Sequence, residues 1–237
     1  MHLIHSYHAT SHVGHLSNIN RIVEADRQKE MKDYLAQKDT ADLIVTGNVR
    51  KGEPSLIIEN EAIKKEADFV VMGTLGNSTV AKKIFGSTTS HIAKNLNIPV
   101  LAIPANVQQA DFEHLVVALD TLNTSANEVV DMLIDFAQIM ELKITLLHVS
   151  SSNLHTDLDP KTKTHLSNNK IDYEYQRIES EEILEGILDY ANSKDNTILC
   201  LISRHRTWFG NLFHSSISQQ MTKQTNMPLL ILHDADS

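Results

Sequence analysis

Three of the chain's 8 glycines, Gly73, Gly76 and Gly86, fall inside one short stretch, GTLGNSTVAKKIFGST. Lys82 and Lys83 lie between the second and the third, and Ser87 and Thr88 follow the third. These residue types suit an anion if the stretch joins a buried strand to a helix. Glycine lets the backbone take positive φ and approach an oxyanion closely. The start of a helix presents unpaired N–H groups and a partial positive charge. The hydroxyls donate hydrogen bonds and the lysines add charge, so the set suits a di- or triphosphate. The same residues would also serve a plain strand-to-helix connection, with Ser87 and Thr88 as ordinary N-caps and the lysines solvated. Residue chemistry alone leaves both readings open. Two common phosphate motifs do not match: no Gly-x-x-x-x-Gly-Lys occurs, and the glycine spacing is not that of the dinucleotide fingerprint.

The flanking sequence supplies the elements that would hold such a loop. The apolar DFVVM leads in and TTSHIAKNL leads out. The runs LIVTG, FVVMG, VLAIP, LVVALD, ITLLHV, ILCLIS and LLILH are apolar throughout, the mark of parallel strands covered on both faces by helices. Helical patterns occupy residues 19–37, 54–67, 87–96, 126–140, 181–192 and 215–224. The polar stretch at 150–170, with Asp157 and Asp159, reads as a loop. Strands alternating with helices give a doubly wound α/β architecture, and ligands in such folds bind where a strand's carboxyl end meets the next helix.

The chain repeats itself. NIPVLAIP at 97–104 matches NMPLLILH at 226–233, and LIHSYH at 3–8 resembles TLLHVS at 145–150. ADFVVMG at 67–73 matches NTILCLIS at 196–203 in pattern. The offset, on the order of 130 to 140 residues, is about one small α/β domain. The polar link ANVQQADFEH divides the chain into domains at 1–106 and 110–237. The second copy opens with a strand and helix, from HLVVALD to MELK, that have no counterpart in the first.

Composition narrows the function class. The net charge of −9 disfavours nucleic acid as a partner. No apolar run approaches the roughly 20 residues that span a bilayer, and the first residues do not read as a signal peptide. A single cysteine, Cys200, sits in an apolar run and reads as a buried core residue. With no internal disulfide available, the chain is expected in the reducing cytoplasm. His2, His5, His8, His12 and His15 cluster near the start, but alternation along a strand would keep them from converging on a metal, and none is expected.

The loop resembles that of a known family. Gly73, two residues, Gly76, nine residues, then Gly86-Ser87 is similar to the Gly-x2-Gly-x9-Gly-Ser/Thr signature of ATP-binding universal stress proteins. VAKKIFGS, NIPVLAIP, LVVALDTLNTSANEV and LLHV also look like segments of that family, so the resemblance covers nearly the whole chain as a tandem pair. It implies two Rossmann-like domains, the first lacking its first strand and helix. It implies ATP, with or without magnesium, as the cofactor: Gly73, Gly76, Gly86, Ser87 and Thr88 would hold ribose and phosphates, and Met72 would line the adenine-ribose side. It also implies a dimer or pseudo-dimer in which 99–104 and 228–233 pair as last strands.

In the second copy Asp120, ending LVVALD, matches the family's acid near the adenine, which the first copy lacks. Its loop, SRHRTWFGNLFHSS, has Ser203 where Gly73 stands and His214 in place of the last glycine, and reads as having lost nucleotide binding. Its arginines and aromatics fit either an interface or packing on the adjacent helix. The expected function is a cytoplasmic stress-response protein that binds an adenine nucleotide in the first copy. A non-nucleotide scaffold and a slow ATPase are the alternatives. No residue stands as a catalytic base, since Glu66 and Asp68 fall before the strand that leads into the loop rather than after it.

Overall fold

The computed structural model describes residues 1–7, 17–38, 43–74, 86–107, 111–119, 127–151, 157–203 and 227–233. They fall into two compact units, Met1–Glu66 and Ala67–Ser237.

In the first unit β1 (His2–Tyr7) and β2 (Thr46–Lys51) pair in parallel, from His2 opposite Thr46 to Tyr7 opposite Lys51. The helix α1 (Ser17–Ala36) connects them. Gly47 lets α1 lie close against β2, because a Cβ there would meet Met31 Cγ at 2.8 Å. The chain leaves β2 through Gly52, whose φ of +143° few side chains tolerate, and Pro54 opens α2 (Pro54–Lys64) at a position that needs no N–H. The strand lies later than the expected apolar run LIVTG, of which only Thr46 and Gly47 belong to β2. Ile44 is 85% exposed, and the ladder begins only at Thr46. The buried side chain of β2 is Val49, inside the more polar TGNVRK.

The second unit is built on one seven-stranded sheet in the order β3-β4-β9-β8-β5-β6-β7. The strands are β3 (Val70–Gly73), β4 (Val100–Ile103), β5 (His114–Leu119), β6 (Lys143–Ser150), β7 (Tyr173–Glu179), β8 (Thr197–Ser203) and β9 (Leu229–His233). Every pairing in it is parallel except β4 with β9, which is antiparallel. The helices are α3 (Ser87–Asn95), α4 (Asn127–Ile139), α5 (Pro160–Asn168) and α6 (Ile183–Asn192). The core gathers alternate side chains of β5, β6 and β8 with Val129, Val130, Leu133, Ile134 and Ala137 of α4, the apolar stripe expected of a helix lying on a sheet. The free thiol of Cys200 lies in this core, as its apolar surroundings imply.

Two further elements depart from the sequence reading. The stretch taken as a loop contains α5: the Asp159 side chain accepts from Thr162 N at 3.2 Å, and Pro160 follows at the first helical position. Only Thr162 and Leu166 of this helix are buried, so it carries little apolar signal. β7, YEYQRIE, alternates between half-buried and exposed because it is an edge strand, and a search for wholly apolar runs passes over it.

The repeat explains the sheet order. β1, β2, β3 and β4 correspond in sequence to β6, β7, β8 and β9. In the second copy β5 joins β6 on one side to β8 on the other. Among the described residues β5 has no counterpart in the first copy, where β1-β2 and β3-β4 belong to different sheets. The antiparallel ladder then carries β3 and β4 into the sheet of the second copy.

Candidate nucleotide site

The candidate site is the junction between the carboxyl end of β3 and the amino end of α3. Thr74, buried, continues the β4 ladder by donating from its N–H to Ile103 O at 3.0 Å. Its own carbonyl accepts from Gly86 N at 2.5 Å, which brings the start of α3 back to the end of β3. A second tie lies beside the first: Thr89 Oγ1 donates to Gly73 O at 2.9 Å. The buried residues of α3 are Thr89, Ile92 and Ala93, three and four apart, so one face of the helix packs inward and fixes its azimuth.

The N-cap residue gives this helix start no side-chain acceptor. Gly86 is the N-cap, with φ −63° and ψ 164°, and as a glycine it brings no side-chain cap of its own. The first intrahelical bond runs from Ser90 N to Gly86 O, so the amides of Ser87, Thr88 and Thr89 precede the helical ladder. No acidic residue occupies the first turn. Ser87 is exposed and Thr88 half-buried. The partial positive charge at this end therefore has no carboxylate of its own helix to offset it, and an oxyanion is the complementary group.

Of the residues singled out in the sequence, Gly73, Gly86, Ser87 and Thr88 are brought together here. Met72 precedes Gly73 on β3 and is half-buried, in register with Ala102 of β4. Gly76, Lys82 and Lys83 lie outside the described residues, as do Asp120, the segment 204–226 and His8, His12 and His15. Thr74 and Thr89 were missed. The signal for Thr89 was the third hydroxyl in GSTTS, one helical position beyond those counted. His2 and His5 fall on opposite sides of β1 in exposure, and among the described residues no cluster of three or more metal-binding side chains forms.

The sequence model of the universal stress protein family matches residues 6–104 and again 111–233. The chain belongs to the universal stress protein family. It is a tandem member, with two family segments in one polypeptide. A curated universal stress protein of Methanocaldococcus jannaschii is 27% identical over 85 residues, 36% of this chain and 50% of that protein. The match thus spans about half the length of that relative. Among solved structures, a universal stress protein from Archaeoglobus fulgidus superposes with a TM-score of 0.73 at 16% identity, covering 100% of this chain and 86% of that one. A functionally unknown protein from Pseudomonas aeruginosa superposes with a TM-score of 0.57 at 12% identity, covering 99% and 82%. At these identities the likeness establishes the α/β fold common to the universal stress domains. Among the described residues no helix is long and apolar enough to cross a membrane.

Proposed function

We propose that the chain is a nucleotide-responsive universal stress protein that binds ATP or a related adenine nucleotide at the β3–α3 junction. Gly73, Gly76, Gly86, Ser87 and Thr88 hold the ribose and phosphates, and Met72 lines the adenine-ribose side. The observation that carries this reading is the start of α3, with a glycine N-cap and no acid in its first turn, held at the end of β3 by the Gly86–Thr74 and Thr89–Gly73 hydrogen bonds. A phosphate suits this set, because the backbone amides are pure donors and the hydroxyls of Ser87 and Thr88 can donate as well. The residues 1–106 and 110–237 act as the two repeats, the first carrying the site. Binding signals or stabilises a conformation in the cytoplasm.

Calorimetric titration with ATP and magnesium tests it, beside Gly86→Asp. The backbone at Gly86 is extended, a conformation open to aspartate, which is itself a good N-cap. The variant therefore keeps the helix while placing a carboxylate where the phosphate would sit. Micromolar binding by the parent, weakened at least about tenfold in the variant, about 1.4 kcal/mol, is the expected result. No binding by the parent sinks the nucleotide reading and leaves the scaffold.

A further inference from the structure

The far end of the site helix is held by the other repeat. Among the last carbonyls of α3, Ile92 O accepts from Leu96 N, and Leu96 then leaves the helix with φ −92° and ψ 122°. Ala93 O is one turn from the end, on a residue with no exposed surface, where a carbonyl without a partner is costly. His233, the last residue of β9, lies with Nε2 2.9 Å from it. A carbonyl can only accept, so Nε2 carries the proton and the imidazole donates.

The register explains why a residue 140 positions away reaches this point. β9 runs antiparallel to β4, with Val100 opposite Ile231, so the end of β9 arrives at the start of β4, where the chain has just left α3. The repeat also shows this contact to be one-sided. Aligning NIPVLAIP with NMPLLILH puts Pro104 opposite His233, and proline has no side-chain donor.

We propose that His233 is a positioning residue for the nucleotide site, by which the second repeat sets the placement of α3. This rests on the nucleotide reading above. α3 is nine residues, about 13 Å, and is tied at its first turn to Gly73 and Thr74 and near its last turn to His233. A short helix held at both ends keeps its first-turn amides aimed. Released at one end, it can pivot about the other, and small displacements weaken the binding of an anion to fixed donors.

The test compares the parent chain with His233→Phe, which removes the donor and keeps a planar ring, and His233→Gln, which restores a donor near Nε2. Leu166→Ala, in α5, serves as a control that destabilises the second repeat through its core. Two readouts are taken: hydrogen exchange of the amides of Ser90 to Leu96, and ATP affinity by calorimetry. His233→Phe is expected to speed exchange along α3 and weaken ATP about tenfold. His233→Gln is expected to recover both, and Leu166→Ala to leave both at the parent's values under conditions where it remains folded. Unchanged exchange and affinity in His233→Phe, or equal losses in Leu166→Ala, overturn the proposal. If the parent binds no ATP, the nucleotide reading fails, and exchange along α3 alone decides whether His233 pins the helix.

Discussion

Thr89 Oγ1 donates to Gly73 O across 2.9 Å, so the first turn of α3 and the last residue of β3 move as one piece. Thr89 is buried, and its hydroxyl is committed to the fold rather than offered to a ligand. Thr89→Val keeps the shape and removes the donor, leaving a carbonyl without that partner. The expected cost is about 1–2 kcal/mol, measured as a lower urea midpoint at unchanged slope. Thr89→Ser should restore most of it.

Gly186 in α6 is required by packing rather than by backbone conformation. A Cβ there would lie 2.9 Å from Ser180 Cβ and 2.9 Å from Val149 Cγ1, closer than carbon atoms pack. Alanine raises helix propensity by about 1 kcal/mol, while forcing α6 off β6 costs about 1–3 kcal/mol. The clash should outweigh the gain. A higher melting temperature for Gly186→Ala would show that α6 has room to shift.

Glu61 of α2 is buried and receives Arg50 through both Nε and Nη2, at 3.3 and 3.1 Å. Arg50→Met leaves that carboxylate inside without its guanidinium. Because Arg50 is itself half exposed, the expected loss is about 1–2 kcal/mol, below that of a fully buried pair. Denaturation of the variant monitored on the first unit measures it.

His2 gives the first unit a dependence on pH. Its Nδ1 lies 2.6 Å from Thr46 Oγ1, and its Nε2 is buried without a hydrogen bond, 3.8 Å from Glu61 Oε2. Burial foremost, then Lys65, holds the imidazole below its ordinary value of 6.5, with Glu61 opposing. As pH falls through that value the unfolded chain takes up a proton that the folded chain declines. Stability therefore rises with pH across this window and falls on acidification. Urea midpoints at about pH 7 and about pH 5.5 should differ less in His2→Gln than in the parent.

Cys200 is wholly buried, and burial pushes its thiol far up from the ordinary range. Ellman's reagent should modify no thiol in the native chain and one in urea. Fast reaction without denaturant would mean that the β8 core opens.

The strands TILCLIS and LLILH were legible because both of their faces are covered, which leaves an unbroken apolar run. β7 was not, because an edge strand needs apolar side chains on only part of its surface. α5 was marked by Asp159-Pro160 but offered almost no buried face to make its period visible. β2 was misplaced because the apolar Leu43 and Ile44 lie outside the ladder, exposed. At the candidate junction, Gly73, Gly86, Ser87 and Thr88 stand out in the sequence by their spacing. The pairing of Thr89 with Gly73 needs the loop's closure, and that of His233 with Ala93 needs the register between two strands. Neither is a property of a local window.

The antiparallel ladder of β4 with β9 has a consequence for synthesis. Val100, Leu101 and Ala102 find their partners only at Ile231, Leu230 and Leu229. During translation at about 5–20 residues per second, β4 waits about 6 to 25 seconds with that edge unpaired. An unpaired strand edge in a nascent chain is a docking point for other chains. The candidate site is encoded early, but the polypeptide must emerge through β9 before the strand beside it is covered.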